Sequence, residues 1–139
     1  MKKTAALILA FILLFQAFSP ISFAATESNP YISEYGCGIS KPSNNTVQIS
    51  FYVVATDDMD TLGASRVSLY KDGSLVKTYL WNTPQYTASM VTTNNYNFYG
   101  SVTYSNASAG SYYAVVRLFA SDGTGTGSES CTTSTITIP

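Results

Sequence analysis

Residues Thr46 to Thr56 read TVQISFYVVAT, in which Val47, Ile49, Phe51, Val53 and Ala55 alternate with Gln48, Ser50, Tyr52, Val54 and Thr56. Successive side chains of a strand point to opposite faces, so this period of two predicts a strand with one buried face. Tyr112 to Ala120, YYAVVRLFA, repeats the pattern. Tyr112, Ala114, Val116, Leu118 and Ala120 are expected inward, and Arg117 opposite them toward water. Tyr96 to Tyr104 alternates as well, with Tyr96, Phe98, Gly100, Val102 and Tyr104 on one face. No run carries a helical period. All 11 tyrosines lie at or beyond residue 31, and charged residues make up only 11% of the chain. Aromatic and β-branched residues suit pleated, half-buried surface, so the composition agrees with an all-β fold.

Turn chemistry divides the chain after residue 30 into seven runs. The first is Tyr31 to Ser40, closed by Lys41-Pro42-Ser43-Asn44-Asn45. Thr46 to Thr56 is followed by a connection, DDMDTLGAS. Arg66 to Lys71 and Ser74 to Trp81 flank Asp72-Gly73, a strong signal for a two-residue hairpin. That loop would set Leu69 opposite Val76 and Val67 opposite Thr78. Asn82 to Asn95 reads as a long crossing loop, with at most a short strand or turn. Tyr96–Tyr104, Tyr112–Ala120 and Ser128–Ile138 complete the set, with Asn106–Ser111 and DGTGTG as turns. Seven short runs at this spacing predict an antiparallel two-sheet sandwich, with a small barrel as the alternative.

The chain opens MKKTAALILAFILLFQAFSPISFAATESN. Lys2 and Lys3, the apolar run Ala5–Phe15 and Ser22-Phe23-Ala24 have the three-part layout of a secretory signal. The apolar run is too short to span a membrane. Residues 1–24 are therefore expected to be a signal peptide and 25–139 a single domain, released to the cell exterior. The formal net charge of −1 becomes −3 without Lys2 and Lys3. So few cations exclude the electrostatic footprint of a nucleic-acid binder, and no polybasic patch would hold the released domain on a membrane.

The chain has two cysteines, Cys37 and Cys131, and no histidine. In an exported protein an even pair reads as a disulfide. Free thiols are the alternative, and a catalytic cysteine would lack a histidine base. Cys37 is expected on the first strand and Cys131 on the last, which neighbour each other in a sandwich. The bond would then clip the chain ends together.

Ala109-Gly110-Ser111-Tyr112 opens its strand as the tyrosine corner of fibronectin type III and immunoglobulin-like sandwiches does. The order of runs resembles that class, which implies that Tyr112 bonds back to the preceding loop. The second-strand tryptophan of the fibronectin class and the usual inter-sheet cysteine spacing are both missing. YIS with Tyr35, ISF, Met59-Asp60 with Gly63-Ala64-Ser65, VKTY, GSVTY and YYAVV resemble a family of small secreted Gram-positive single-domain proteins of unknown function. That resemblance implies secretion and a β fold and transfers no catalytic residue.

Asp57, Asp58 and Asp60 are weak candidates for calcium. Hard cations want several oxygens, but Leu62 stands where a third ligand would be and no closing Glu follows. Asp122-Gly123-Thr124-Gly125-Thr126-Gly127 looks glycine-rich, yet a strand follows rather than a helix, so a hairpin loop is expected and not a phosphate cradle. Trp81, Tyr86, Tyr96 and Tyr99, with Asn82, are the candidate ligand contacts, since flat aromatic faces stack on sugar rings. A hydrolytic carboxylate pair would have to come from Glu27, Glu34, Asp57, Asp58, Asp60, Asp72, Asp122 and Glu129, most of which fall in turns or near the termini. The sequons at Asn44 and Asn106 read as turns. No cofactor is implied. The expected function is non-catalytic binding to an extracellular protein or surface. A carbohydrate- or cell-wall-binding module and a self-assembling structural protein are the alternatives.

Overall fold

A computed structural model describes residues 29–139. The signal layout, its cleavage point after Ala24 and Glu27 lie outside the described residues. The elements are β1 (Ile32–Ser43), β2 (Thr46–Lys71), β3 (Ser74–Leu80), α1 (Pro84–Met90), β4 (Val91–Tyr104), β5 (Gly110–Ser121), β6 (Thr126–Thr132) and β7 (Ile136–Ile138). All the strands pair antiparallel. The all-β sandwich of seven strands is present, but the chain divides into strands differently from the sequence reading.

The main difference is β2. DDMDTLGAS is not a connection but the middle of a strand of 26 residues. Val47–Val54 runs between β1 and the second half of β4. Thr61–Lys71 runs between β5 and the start of β4, then β3. β2 therefore passes from one layer to the other, and a register irregularity between Val54 and Met59 marks the corner. Aspartates are poor strand formers, which is why the segment reads as loop. Met59, Leu62 and Ala64 are nevertheless buried, and their packing overrides propensity.

Both alternating runs bury the predicted faces. Val47, Ile49, Phe51, Val53 and Ala55 meet Tyr112, Ala114, Val116, Leu118 and Ala120 in one core. Arg117 faces outward, as its alternation requires. On β4, Val102 is buried and Phe98 half-buried, whereas Tyr96 is exposed. Asn94 adopts a left-handed backbone, φ 51°, just before it. Asn95 Oδ1 accepts the N–H groups of Tyr96 and Asn97 in the same irregular stretch.

Asp72 and Gly73 both have positive φ, 49° and 84°, and pair Lys71 with Ser74 as a two-residue hairpin should. The expected register then fails by one residue. A bulge between Leu69 and Tyr70 places Leu69 opposite Lys77 and Val67 opposite Tyr79. Tyr79 is thereby buried, and its hydroxyl donates to the Thr103 carbonyl at 3.1 Å, closing the side of the sandwich between β3 and β4.

Asn82–Asn95 is not a plain loop: it contains α1 and the first five residues of strand β4, Val91–Asn95. Pro84 opens the helix, where a missing N–H costs nothing. Met90 at its end is fully buried. The expected last strand is also broken. Thr133, a buried polar residue, accepts the N–H of Ala114 on its Oγ1 and donates its own N–H to the Ala114 carbonyl. This interruption separates β6 from β7, so Cys131 lies on β6, the penultimate strand. The Cys37–Cys131 disulfide is present, with Cα atoms 6.1 Å apart, and ties β1 of one layer to β6 of the other. Tyr112 makes the expected corner, donating to the Ser108 carbonyl at 2.7 Å.

Candidate functional site

The layer formed by β3, the second half of β2, β5 and β6 has an outer face that can be read from its register. Val67, Leu69, Tyr79, Val116, Leu118 and Cys131 are buried, so their neighbours in each strand point away from the core. Three rows of outward residues result. Leu75, Tyr70 and Tyr113 form one. Thr78, Ser68, Val115 and Thr132 form the next, and Leu80, Arg66, Arg117 and Ser130 the third. The rings of Tyr70 and Tyr113 stack with centroids 4.9 Å apart and 5° between planes.

Trp81 and Phe119 continue this face beyond the third row. A bulge falls between Ala64 and Arg66, leaving Ser65 out of the β2–β5 register. The Ser65 carbonyl accepts the N–H of Trp81 at 3.3 Å, and its hydroxyl donates to the Arg117 carbonyl at 3.3 Å. The Trp81 ring leans on Phe119 at 5.8 Å, tilted by 43°. Thr87 Oγ1 of α1 donates to the Trp81 carbonyl at 2.7 Å, holding the strand end in place. Bulges re-aim side chains, and this one sets Trp81 beside the arginine row. Leu75 is 54% exposed, Val76 39%, Trp81 38% and Leu80 37%. These four apolar side chains gather on one strand and its end.

The aromatic contacts expected from sequence are not gathered into one cluster. Trp81 pairs with Phe119 and Asn82 is exposed beside it. Tyr86 is half-buried, edge-on to Tyr79 at 5.0 Å, and Lys77 Nζ lies 5.4 Å from the Tyr79 ring and 5.8 Å from that of Tyr86. Tyr99, 54% exposed, lies on the outer face of the other layer, stacked on Tyr52 at 5.4 Å. The Tyr52 hydroxyl donates to Glu34 at 3.3 Å. Burial, then the charge of Glu34, push the Tyr52 hydroxyl up to about 12. Burial raises Tyr99 too, and again Glu34 adds to it.

Several of the carboxylates have separate local partners. Asp57 accepts the Asp58 N–H, Asp72 the Ser111 N–H, and Glu129 the side chain of Asn29. Asp122 caps its own loop, accepting from the Thr124 hydroxyl, the Thr124 N–H and the Gly125 N–H. The Thr124 hydroxyl bond is the main reason its carboxyl lies below the usual range. Among the described residues no three His, Cys, Asp or Glu side chains come together as a metal site. The glycine-rich loop is a hairpin, as expected. Its glycines make room for Tyr31: a Cβ on Gly125 would strike the Tyr31 hydroxyl, and one on Gly127 would strike Asn29 and the Tyr31 side chain.

Arg66, Leu75, Val76, Leu80 and Phe119 are site residues that sequence reasoning did not single out. Alternation alone could have placed Arg117 and Phe119 together outward. The pairing of Arg66 with Arg117 depends on the Ser65 bulge, which no local pattern announces.

No family model matches the chain, and no curated protein matches it. The resemblance to small secreted Gram-positive proteins rests on the quoted motifs alone. Two solved domains are similar in part. The GAE domain of GGA2p from Saccharomyces cerevisiae shares 14% identity over 86% of this chain and 98% of that one, with a TM-score of 0.39. The CARDB domain of PF1109 from Pyrococcus furiosus shares 10% over 78% and 97%, with a TM-score of 0.34. At such values neither indicates what this chain binds. Among the described residues no helix is long and apolar enough to cross a membrane, which says nothing of strands.

Proposed function

We propose that this chain is an exported, non-catalytic binding module that docks an extracellular protein on the outer face of β3, β2 and β5. The observation that carries the reading is two exposed apolar groups on one face, Leu75 and Val76 beside the Tyr70–Tyr113 stack and Leu80 and Trp81 beside Phe119, with the Thr78–Ser68 row between them. Scattered exposed apolar residues are ordinary, whereas apolar side chains grouped on one face among polar residues fit an interaction surface. Three of the four exposed residues are aliphatic. Sugar rings stack on flat aromatic faces, and the aliphatic Leu75, Val76 and Leu80 set among the rings of this face favour a protein partner over a polysaccharide. Export is supported by the signal layout and is compatible with the disulfide.

A polysaccharide reading has one observation in its favour: Tyr99 is half exposed on the opposite layer, opposite Tyr52 and near Ser101 and Asn97 on β4. A photocrosslinking residue placed at position 81 or at position 99 separates the two readings. The exported, oxidised protein carrying Trp81→p-benzoylphenylalanine should form protein adducts when mixed with intact cells and medium of its source organism. Tyr99→p-benzoylphenylalanine should form none. Glycan adducts from position 99, with none from position 81, would reverse the assignment.

A further inference from the structure

We propose that the partner presents an acidic polypeptide segment to this face, with carboxylates on Arg66 and Arg117 and apolar side chains on Leu80, Trp81 and Phe119. This deepens the protein-docking reading and rests on it. Arg66 and Arg117 are the two arginines of the chain, and they stand directly opposite each other on β2 and β5. Both are exposed on the same face. Like charges directly opposite across a sheet repel, and a fold gains nothing by placing them so. Among the described residues neither guanidinium has a carboxylate partner. Arg117 Nη2 donates only to Ser128 Oγ, at 3.3 Å, and the rows of this face hold hydroxyls, tyrosines and apolar groups but no acid. The released domain as a whole carries a formal charge of −3. A local excess of positive charge on an acidic molecule, kept unpaired beside exposed apolar side chains, is complementary to an anion.

Arginine favours planar oxyanions because its fork of N–H donors matches them bidentately. The apolar neighbours narrow the class further. Leu80 shares the row with Arg66, and Trp81 and Phe119 lie one step along the face. A phosphate polymer would find its charge met but would set polar oxygens against Leu80, Trp81 and Phe119. A polypeptide carrying carboxylates beside aromatic or aliphatic side chains satisfies both halves of the surface. Excluding water from the arginine row with those side chains also strengthens the charge contacts.

The test uses the exported, oxidised protein and a labelled random copolymer of glutamate and tyrosine, with inorganic polyphosphate and a lysine–tyrosine copolymer as comparators. Fluorescence anisotropy should show saturable binding of the glutamate–tyrosine copolymer alone. Arg66→Gln combined with Arg117→Gln should weaken it by about tenfold or more and flatten its salt dependence. Its thermal midpoint should be unchanged or slightly raised, because a repulsion has been removed. Lys41→Gln, which removes a cation on β1, should change nothing. If Leu80→Ser with Trp81→Ala weakens binding while the arginine variant does not, the docking face stands and the acidic partner is overturned. Equal or tighter binding of polyphosphate would overturn the polypeptide as occupant. No binding of the copolymer would overturn the proposal outright. A protein mass that doubles with concentration in sedimentation, and reverts in the arginine variant, would instead assign the face to a second copy of the chain.

Discussion

Individual side chains in this fold have consequences that single substitutions can read. Gly63 has φ 149°, and a Cβ there would collide with the backbone of Met90 and Val91, where the end of α1 enters β4. Neither backbone can yield, so Gly63→Ala is expected to destabilise by more than about 2 kcal/mol in urea unfolding. Tyr112→Phe removes only the corner bond to Ser108 and should cost about 1 kcal/mol by the same measurement. Tyr52 and Tyr79 set an alkaline limit. Burial is the main cause that pushes each hydroxyl up to about 12 from the ordinary 10. Both states are protonated below pH about 10, so stability there is unaffected by these groups. Between about 10 and 12 the unfolded chain loses protons that the folded one keeps, and stability falls as pH rises. Urea midpoints at pH 8, 10.5 and 11.5 should decline, and the decline should be shallower in Tyr52→Phe and Tyr79→Phe. A flat profile would contradict the burial assigned to these rings. Of these residues, Tyr112 was legible in the sequence because the corner motif is local. Tyr79 was not, because its inward position depends on the bulge between Leu69 and Tyr70.

At the scale of elements, α1 is a short helix that does structural work out of proportion to its length. Met90 is fully buried at its end, and Tyr86 packs edge-on against Tyr79. Met90→Ala should therefore cost roughly 2–5 kcal/mol, the range for emptying a core methionine site. Loss of that magnitude without loss of the β signal in circular dichroism would show that α1 fills a gap between layers and does not nucleate them. Thr83-Pro84 does carry a helix-start signal, but seven residues are too few for a period to emerge. β2 was obscured for the opposite reason. Its two ends alternate clearly, and Asp57, Asp58 and Asp60 between them read as a turn. The corner of the sandwich needs its polar residues outside and Met59 and Leu62 inside. Local propensity cannot report that division, since it arises from which layer each half of the strand joins. The candidate face inherits this difficulty: Leu75, Leu80 and Trp81 were visible as apolar residues, while their meeting with Arg66 and Arg117 required the register of three strands.

For the whole molecule, the decisive link is the disulfide between layers. β1 forms its ladder with β2, and β6 with β5, and among the described residues no ladder joins β1 to β6. Cys37 and Cys131 cross that seam at 94 residues of separation, and both are buried. A cross-link acts chiefly by restricting the unfolded chain, and a loop of this size should contribute roughly 4–5 kcal/mol in the chain-entropy model. The ladders on either side do not depend on it. Reduction should therefore leave the native β signal in place at low denaturant, add two protons to the intact mass, and move the urea midpoint sharply down. The slope of the transition should steepen as well, because an unlinked unfolded chain exposes more surface. The Cys37→Ala, Cys131→Ala double variant should reproduce the steeper slope, with a small further loss from the missing sulfur packing. A midpoint that falls with no change in slope would assign the stabilisation to contacts of the sulfurs in the folded core. A midpoint that does not move would mean that Tyr79, α1 and the β2 corner hold the layers together without the bond.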